Sequence, residues 1–305
     1  MTSFKRMLID CDPGIDDAFA LFCALKYADL AAITTVSGNV SIHNTTRNAR
    51  HLMALAGADV PVHRGAAEPL TLDAIAADDI HGASGFGAQA PPEPDYPESP
   101  IGAVEAIINH CEDGDALIVA IGPLTNIALA IREDPSITDR IGHLHWMGGA
   151  TAGGNTTALA EFNAWADPHA VDITLRSGVA LTMYDLALTH QVRMNTAEIE
   201  ALQQADTASS RTFAEVLTFY RAKGLKDGLG QPMHDPCAVL GVTHPALFDV
   251  SPAHIVCSTS NDESRGQTTV HEPEAASPHH QAMTARSAEV LDLIVAAAID
   301  SHTKS

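Results

Sequence analysis

The 305-residue chain is 46% hydrophobic and carries 38 Asp+Glu against 17 Lys+Arg, a formal net charge of −21. So acidic a surface repels nucleic acid and anionic membrane, which excludes both as expected partners, and no apolar run approaches the roughly 18 residues of a membrane span. The five cysteines, at positions 11, 23, 111, 237 and 257, form no C-x-x-C pair; scattered thiols read as reduced and the protein as cytoplasmic. Met1 to Arg6 contains no signal-peptide core, and the length suits one α/β domain over residues 1–305.

In chain order, Met7-Leu8-Ile9 reads as a buried strand and Ala18 to Leu25 as a helix, with Pro13-Gly14 turning the chain between them. Asp10, Asp12, Asp16 and Asp17 therefore fall at the carboxyl end of a strand and the amino end of a helix, where open α/β sheets bind ligands. Like charges this close raise one another's pKa and destabilise the fold unless a positive charge sits among them. A helix N-terminus supplies only part of one. A divalent cation would supply the rest, and carboxylate ligation favours a hard ion, Ca²⁺ or Mg²⁺. The other reading of the same residues is a capped strand–helix turn with solvated acids. An EF-hand loop starting at Asp10 is excluded, because Ile15 and Leu21 stand where its Gly and Glu are needed. A haloacid-dehalogenase-like phosphatase reading of Asp10-x-Asp12 fits poorly, since Gly14 stands where that pattern has Thr or Val.

Leu30 to Val36 is a second strand, followed by Ser37-Gly38-Asn39-Val40 and a helix from Ile42 to Ala56. Asn39 thus reaches the same sheet edge as the acids, as a turn former or as a ligand. Val60 to His63 is a short strand. Gly65 to Pro100 is irregular and holds the glycine-rich stretch His81 to Gly87; a long loop in a compact domain is usually functional or disordered. Gly102 to Cys111 reads as a helix and Ala116 to Ile121 as a buried strand, after which Gly122-Pro123-Leu124-Thr125-Asn126 leads into a helix that Thr125 would cap. Ile141 to Met147 is the next strand. A polar, glycine-rich loop from Gly153 to Asn163 can hydrogen-bond sugar hydroxyls, and Ala166-Asp167-Pro168 opens a helix.

Val179 to Met183 is another strand, and Thr196 to Lys223 one or two helices with Phe213, Leu217 and Tyr220 at core-like helical spacing. His234-Asp235-Pro236 opens a helix from Ala238 to Val242, with Asp235 as N-cap, as ligand, or as both. His254 to Gln281 reads as strands and a hairpin loop, and Val290 to Ile299 as a closing helix. The alternation gives the expected fold class: α/β, a single open-sheet Rossmann-like domain, its mostly parallel central sheet flanked by helices and its site at the carboxyl ends of the strands.

Asp10-Cys11-Asp12-Pro13-Gly14-Ile15-Asp16-Asp17 resembles the DxDPGxDD signature of the nucleoside hydrolase family. Further elements resembling that family follow in order: Gly38-Asn39, His81-Gly82-Ala83-Ser84-Gly85, Gly122 to Asn126, Gly154-Asn155, Ala160-Glu161-Phe162-Asn163, Ala166-Asp167-Pro168, His234-Asp235-Pro236 and Arg265-Gly266-Gln267-Thr268. The resemblance covers about Leu8 to Ile299, with Val270 to His280 unlike the usual strand end. It implies Ca²⁺-dependent hydrolysis of the N-glycosidic bond of a ribonucleoside to ribose and free base, in purine or pyrimidine salvage, by a homodimer or homotetramer. It further implies that Asp12, Asp17, Asp235 and the Thr125 carbonyl hold the metal, that Asp12 is general base and that His234 protonates the leaving base. Asp16, Asn39, Asn155, Glu161 and Asn163 would hold the ribose, His81 would approach the substrate, and Tyr220 is a candidate for the base pocket. Base preference stays open, with His234 and the His81 loop pointing toward the inosine-uridine or pyrimidine branches. Two other functions compete: a metal-dependent phosphatase, and a non-catalytic nucleoside- or ribose-binding protein, which would be expected to lack the general base.

Overall fold

Strand β1 (Arg6–Cys11) feeds two cores with alternate residues: Met7, Ile9 and Cys11 pack into one and Leu8 into the other, as a strand buried on both faces must. The structure, a computed structural model, describes residues 6–71, 84–87, 90–223, 228–273 and 277–300. Around β1 lie β2 (Asp29–Thr35), β3 (Val62–Arg64), β4 (Ala116–Ala120), β5 (Ile141–Met147) and β6 (Leu181–Tyr184). With β9 (Phe248–Pro252) and β12 (His279–Ala285) they make an eight-stranded sheet of order β3-β2-β1-β4-β5-β6-β12-β9. Every pairing in it is parallel except that of β9 with β12 at one edge. Two small ribbons complete the β structure: β7 (Arg193–Met194) with β8 (Gln231–Pro232), and β10 (His254–Cys257) with β11 (Thr268–His271).

Helices cover both faces. On one side α1 (Ile15–Tyr27), α2 (Ile42–Ala56), α8 (Thr196–Ala205), α9 (Ala208–Lys223), α10 (His234–Thr243) and α11 (Ser287–Ile299) supply Phe19, Leu52, Leu202, Phe213, Val239 and Ile294 to one core. On the other, α3 (Ala103–His110), α4 (Thr125–Glu133) and α6 (Pro168–Arg176) supply Ile107, Ile127 and Val171. Two short helices, α5 (Phe162–Ala166) and α7 (Leu186–Thr189), follow the ends of β5 and β6. The strand order reverses between β1 and β4, so their following loops part and leave a crevice at the carboxyl edge. The expected α/β open sheet is the fold found. Among the described residues no helix is long and apolar enough to cross a membrane.

The starts of two helices near the acids, and one edge strand, differ from those expected from the sequence. Helix α1 begins at Ile15, not Ala18, because Gly14 caps it and the Asp17 carboxylate accepts the Gly14 N–H at 2.9 Å. Helix α10 begins at His234 behind an N-cap at Met233, so Asp235 lies inside the helix and is not its N-cap. Strand β9 was not expected, since Asp249, Ser251 and Pro252 give it no apolar alternation and only Phe248 is buried. An edge strand tolerates such a sequence, proline included.

Candidate active site

The acids of the turn after β1 are all buried: Asp10, Asp12, Asp16 and Asp17 expose 5% or less, and Asp235, brought in by α10, exposes 4%. Asp16, Asp17 and Asp235 each offer a carboxylate oxygen within 4.8 Å of the other two. Asp17 and Asp235 are within hydrogen-bond reach of one another, and Asp16 accepts the His234 backbone N–H. The start of α10 is thereby fastened to the start of α1, which is how distant residues come to share one site.

Asp12 stands beside that group. Its Oδ2 accepts the Asn39 N–H at 2.6 Å, and its own N–H donates to Asp17 Oδ1 at 3.2 Å. Its Oδ1 is buried with no hydrogen-bond partner among the described residues. Two glycines leave it room: a Cβ on Gly38 would overlap Asp12 Oδ2, and one on Gly122 would lie 2.8 Å from Oδ1. The turns after β2 and β4 therefore close on the Asp12 carboxyl from both sides.

Burial is the first cause that pushes every one of these carboxyls upward: Asp10 and Asp16 to about 7, Asp17 to about 6, Asp12 and Asp235 well above the carboxylate range. The charges next in importance are one another's, Asp17 acting on Asp12 and Asp16 on Asp235. A cluster of buried oxygen donors with an orphaned Oδ1 fits a hard divalent cation of the Ca²⁺ or Mg²⁺ kind. The solvated-turn reading fails, because these acids are not solvated.

His234 opens α10 and is 9% exposed. Its Nδ1 lies 2.7 Å from Thr189 Oγ1, and its ring centroid 5.5 Å from that of His190. Thr189 and His190 stand at the end of α7, just past β6. Neither belongs to a sequence motif; the one signal in the sequence is their place past the carboxyl end of a strand.

The residues expected at the sugar fall into three groups. Asn39 is close to the acids, its Nδ2 donating to Asp12 O and to Asp17 Oδ2, both at 3.2 Å. Glu161 and Asn163 are buried and hydrogen-bonded to the scaffold. Glu161 caps α5, accepting the Asn163, Ala164 and Gly149 N–H groups at 2.8, 3.1 and 2.9 Å, and burial raises its carboxyl to about 7. Asn163 Nδ2 donates to Ile121 O at 3.0 Å and Met147 O at 3.1 Å, tying the ends of β4 and β5 together. Asn155 is exposed, its Oδ1 accepting the Phe162 N–H at 3.0 Å.

Thr125 is the first residue of α4 behind an N-cap at Leu124, so it does not cap the helix; its Oγ1 donates to Asp167 Oδ2 at 2.8 Å. Tyr220 is buried in α9, and its hydroxyl is raised first by burial and then by Asp16, Asp235 and Asp17, which puts it in electrostatic range of the cluster. His81 lies outside the described residues. The adjoining Ser84 carbonyl is described, and Asn48 Nδ2 donates to both it and Pro13 O at 2.9 Å.

Comparison with known proteins gives one consistent answer. The model of the family "Inosine-uridine preferring nucleoside hydrolase" matches residues 7–294. The pyrimidine-specific ribonucleoside hydrolase of Shewanella oneidensis is 38% identical over 272 residues, 87% of this chain and 86% of the relative. That of Photobacterium profundum is 36% identical over 274 residues, 87% of this chain and 88% of the relative. Among solved structures, a plant nucleoside hydrolase superposes with a TM-score of 0.90 at 31% identity, covering 97% of this chain and 99% of the other. The purine-preferring ribonucleoside hydrolase of Gardnerella vaginalis gives 0.91 at 30%, covering 97% and 98%.

Proposed function

The chain belongs to the inosine-uridine preferring nucleoside hydrolase family, and from that membership we propose a Ca²⁺-dependent ribonucleoside hydrolase acting on pyrimidine ribonucleosides. The observation that carries the reading is the orphaned Asp12 Oδ1 beside the Asp16, Asp17 and Asp235 carboxylates at the sheet's switch point. The pyrimidine preference rests on the curated relatives, which at 36–38% identity are named pyrimidine-specific.

Hydrolysis requires an activated water, tolerance of positive charge at the anomeric carbon and a proton for the leaving base. Asp12, Asp17, Asp235 and the Thr125 carbonyl would hold the cation, with Asp16 beside them. A bound cation supplies positive charge that lowers the pKa of a neighbouring water and attracts the ribose hydroxyls.

The chain's own groups do the rest. Asp12 accepts the water's proton at Oδ1, while the Asn39 N–H on Oδ2 holds the carboxyl in place. The carboxylates around the anomeric carbon favour the oxocarbenium-like form, the inverting arrangement of glycosidases being the nearest chemical parallel. Asp16, Asn39, Asn155, Glu161 and Asn163 bind and orient the ribose, and His81 meets the substrate. His234 delivers a proton to the departing base, with Thr189 bracing its Nδ1; such acid catalysis contributes about 10²–10⁴-fold. Tyr220 borders the base. The enzyme works in the cytoplasm as a single-domain protomer of a homodimer or homotetramer, in nucleoside salvage.

The test is a panel of uridine, cytidine, inosine, adenosine and guanosine, with and without chelator. Turnover led by uridine and cytidine and abolished by chelator is expected. Purine nucleosides turned over fastest would overturn the pyrimidine preference. Hydrolysis of p-nitrophenyl phosphate without nucleoside cleavage would restore the phosphatase alternative, and nucleoside binding without cleavage the binding protein.

A further inference from the structure

Asn126 is fully buried, the second residue of α4 and the immediate neighbour of Thr125. Its Nδ2 donates to Asp10 Oδ1 at 2.8 Å and to Thr35 O at 3.0 Å, and its Oδ1 accepts the Ala66 N–H at 2.9 Å. These partners belong to three other parts of the carboxyl edge: the end of β1, the end of β2 and the chain leaving β3. Asp10 receives a second bond on the same oxygen from Thr34 Oγ1 at 2.6 Å. Gly65 packs against the amide so closely that a Cβ there would overlap both Asn126 Oδ1 and Nδ2. One side chain therefore bolts four neighbouring segments together directly beneath the acids.

Two consequences follow from peptide geometry. The Thr125 carbonyl and the Asn126 N–H lie in one rigid plane, so whatever restrains Asn126 restrains that carbonyl. Asp10 and Asp12 share one run of backbone at the end of β1, so a hold on Asp10 limits where Asp12 can move. Groups that orient a metal's donors are typically worth about 10–100-fold in affinity.

We propose that Asn126 is a positioning residue that sets the spacing between the turn after β1 and the turn after β4, and through it the affinity of the acid cluster for a divalent cation. The inference rests on reading that cluster as a cation site. It goes beyond that reading in giving metal affinity to a residue that touches no metal.

The experiment is calorimetric titration of chelator-stripped, full-length protein with CaCl₂, with far-UV circular dichroism of each variant. Asn126→Ala is expected to bind Ca²⁺ at least tenfold more weakly than the unaltered protein, with an unchanged spectrum. Gly65→Ala, which leaves Asn126 in place but pushes on its amide, is expected to weaken binding likewise and decides the matter if Asn126→Ala does not fold. Thr174→Ala is the control: Thr174 is buried and donates to Ala170 O at 2.8 Å, away from the acids. Its affinity should stay within twofold of the unaltered protein while its melting temperature falls, which separates positioning from general loosening.

Affinity within twofold of the unaltered protein in both Asn126→Ala and Gly65→Ala overturns the proposal. If the unaltered protein binds and Asp235→Ala does not, that result falls on Asn126 alone. If the unaltered protein binds no Ca²⁺, the cation reading falls and the inference with it.

Discussion

Asn39 holds Asp12 by its main chain and braces the same turn by its side chain: the N–H donates to Asp12 Oδ2 at 2.6 Å, and Nδ2 reaches Asp12 O and Asp17 Oδ2 at 3.2 Å. The two functions can be separated by mutation, because a backbone N–H survives any substitution except proline. Asn39→Ala is expected to keep the Asp12 Oδ2 bond and lose the side-chain contacts. Its kcat/KM on uridine should fall, yet remain at least tenfold above that of Asp12→Ala, which removes the proposed general base. Equal loss in the two variants would show that the side chain, and not the N–H, secures the base.

His234 has a different test, one that depends on the leaving group. A p-nitrophenyl riboside needs no proton to depart, whereas a natural base does. His234→Ala is expected to slow uridine about 10²-fold or more and to leave p-nitrophenyl riboside nearly unchanged, by steady-state kinetics on both. Parallel losses would remove the acid role from His234.

The space around Asp12 is maintained by two residues without side chains. Gly38→Ala places a methyl on Asp12 Oδ2, so the carboxyl must rotate away or the β2 turn must retreat. Overpacking of this kind typically costs about 1–3 kcal/mol, and activity should drop at least a hundredfold if the displaced group is the general base proposed above. Denaturant unfolding and turnover measured together check both halves; an active Gly38→Ala would mean that the Asp12 carboxyl has more freedom than its contacts allow.

Removal of the cation should appear as lost stability. A ligand that binds only the folded state contributes about 2.7 kcal/mol at a hundred times its Kd, and here it would also relieve repulsion among buried acids. The melting temperature is expected to fall in chelator and to recover with Ca²⁺, and Asp235→Ala should show no such response. Elemental analysis of Asp235→Ala supplies the second measurement: undiminished calcium would place that residue outside the shell.

The site's chemistry was legible because it is written in short, dense motifs. Asp10 to Asp17, Gly122 to Asn126 and His234-Asp235 each follow an apolar strand or open a helix, and the structure brings these stretches to one edge. What could not be read was which groups the scaffold itself would use. Glu161 and Asn163 read as ribose ligands in a glycine-rich loop, and nothing in that pattern shows that their side chains also cap α5 and join β4 to β5. Thr189 carries no motif and becomes a neighbour of His234 only through the packing of α7 against α10. Strand β9 escaped because an edge strand with one buried residue leaves no hydrophobic period. Asn126 was visible as a letter of its motif, but its three partners are separated from it in sequence and belong to tertiary structure.

Asp235 comes from α10, near the far end of the chain, while the acids it meets follow β1. A polypeptide still emerging from the ribosome can thus display Asp12, Asp16 and Asp17 long before the carboxylate and the imidazole that complete them exist. Under the proposed roles, such a nascent chain lacks both the last donor and the leaving-group acid, and would not yet cleave nucleosides.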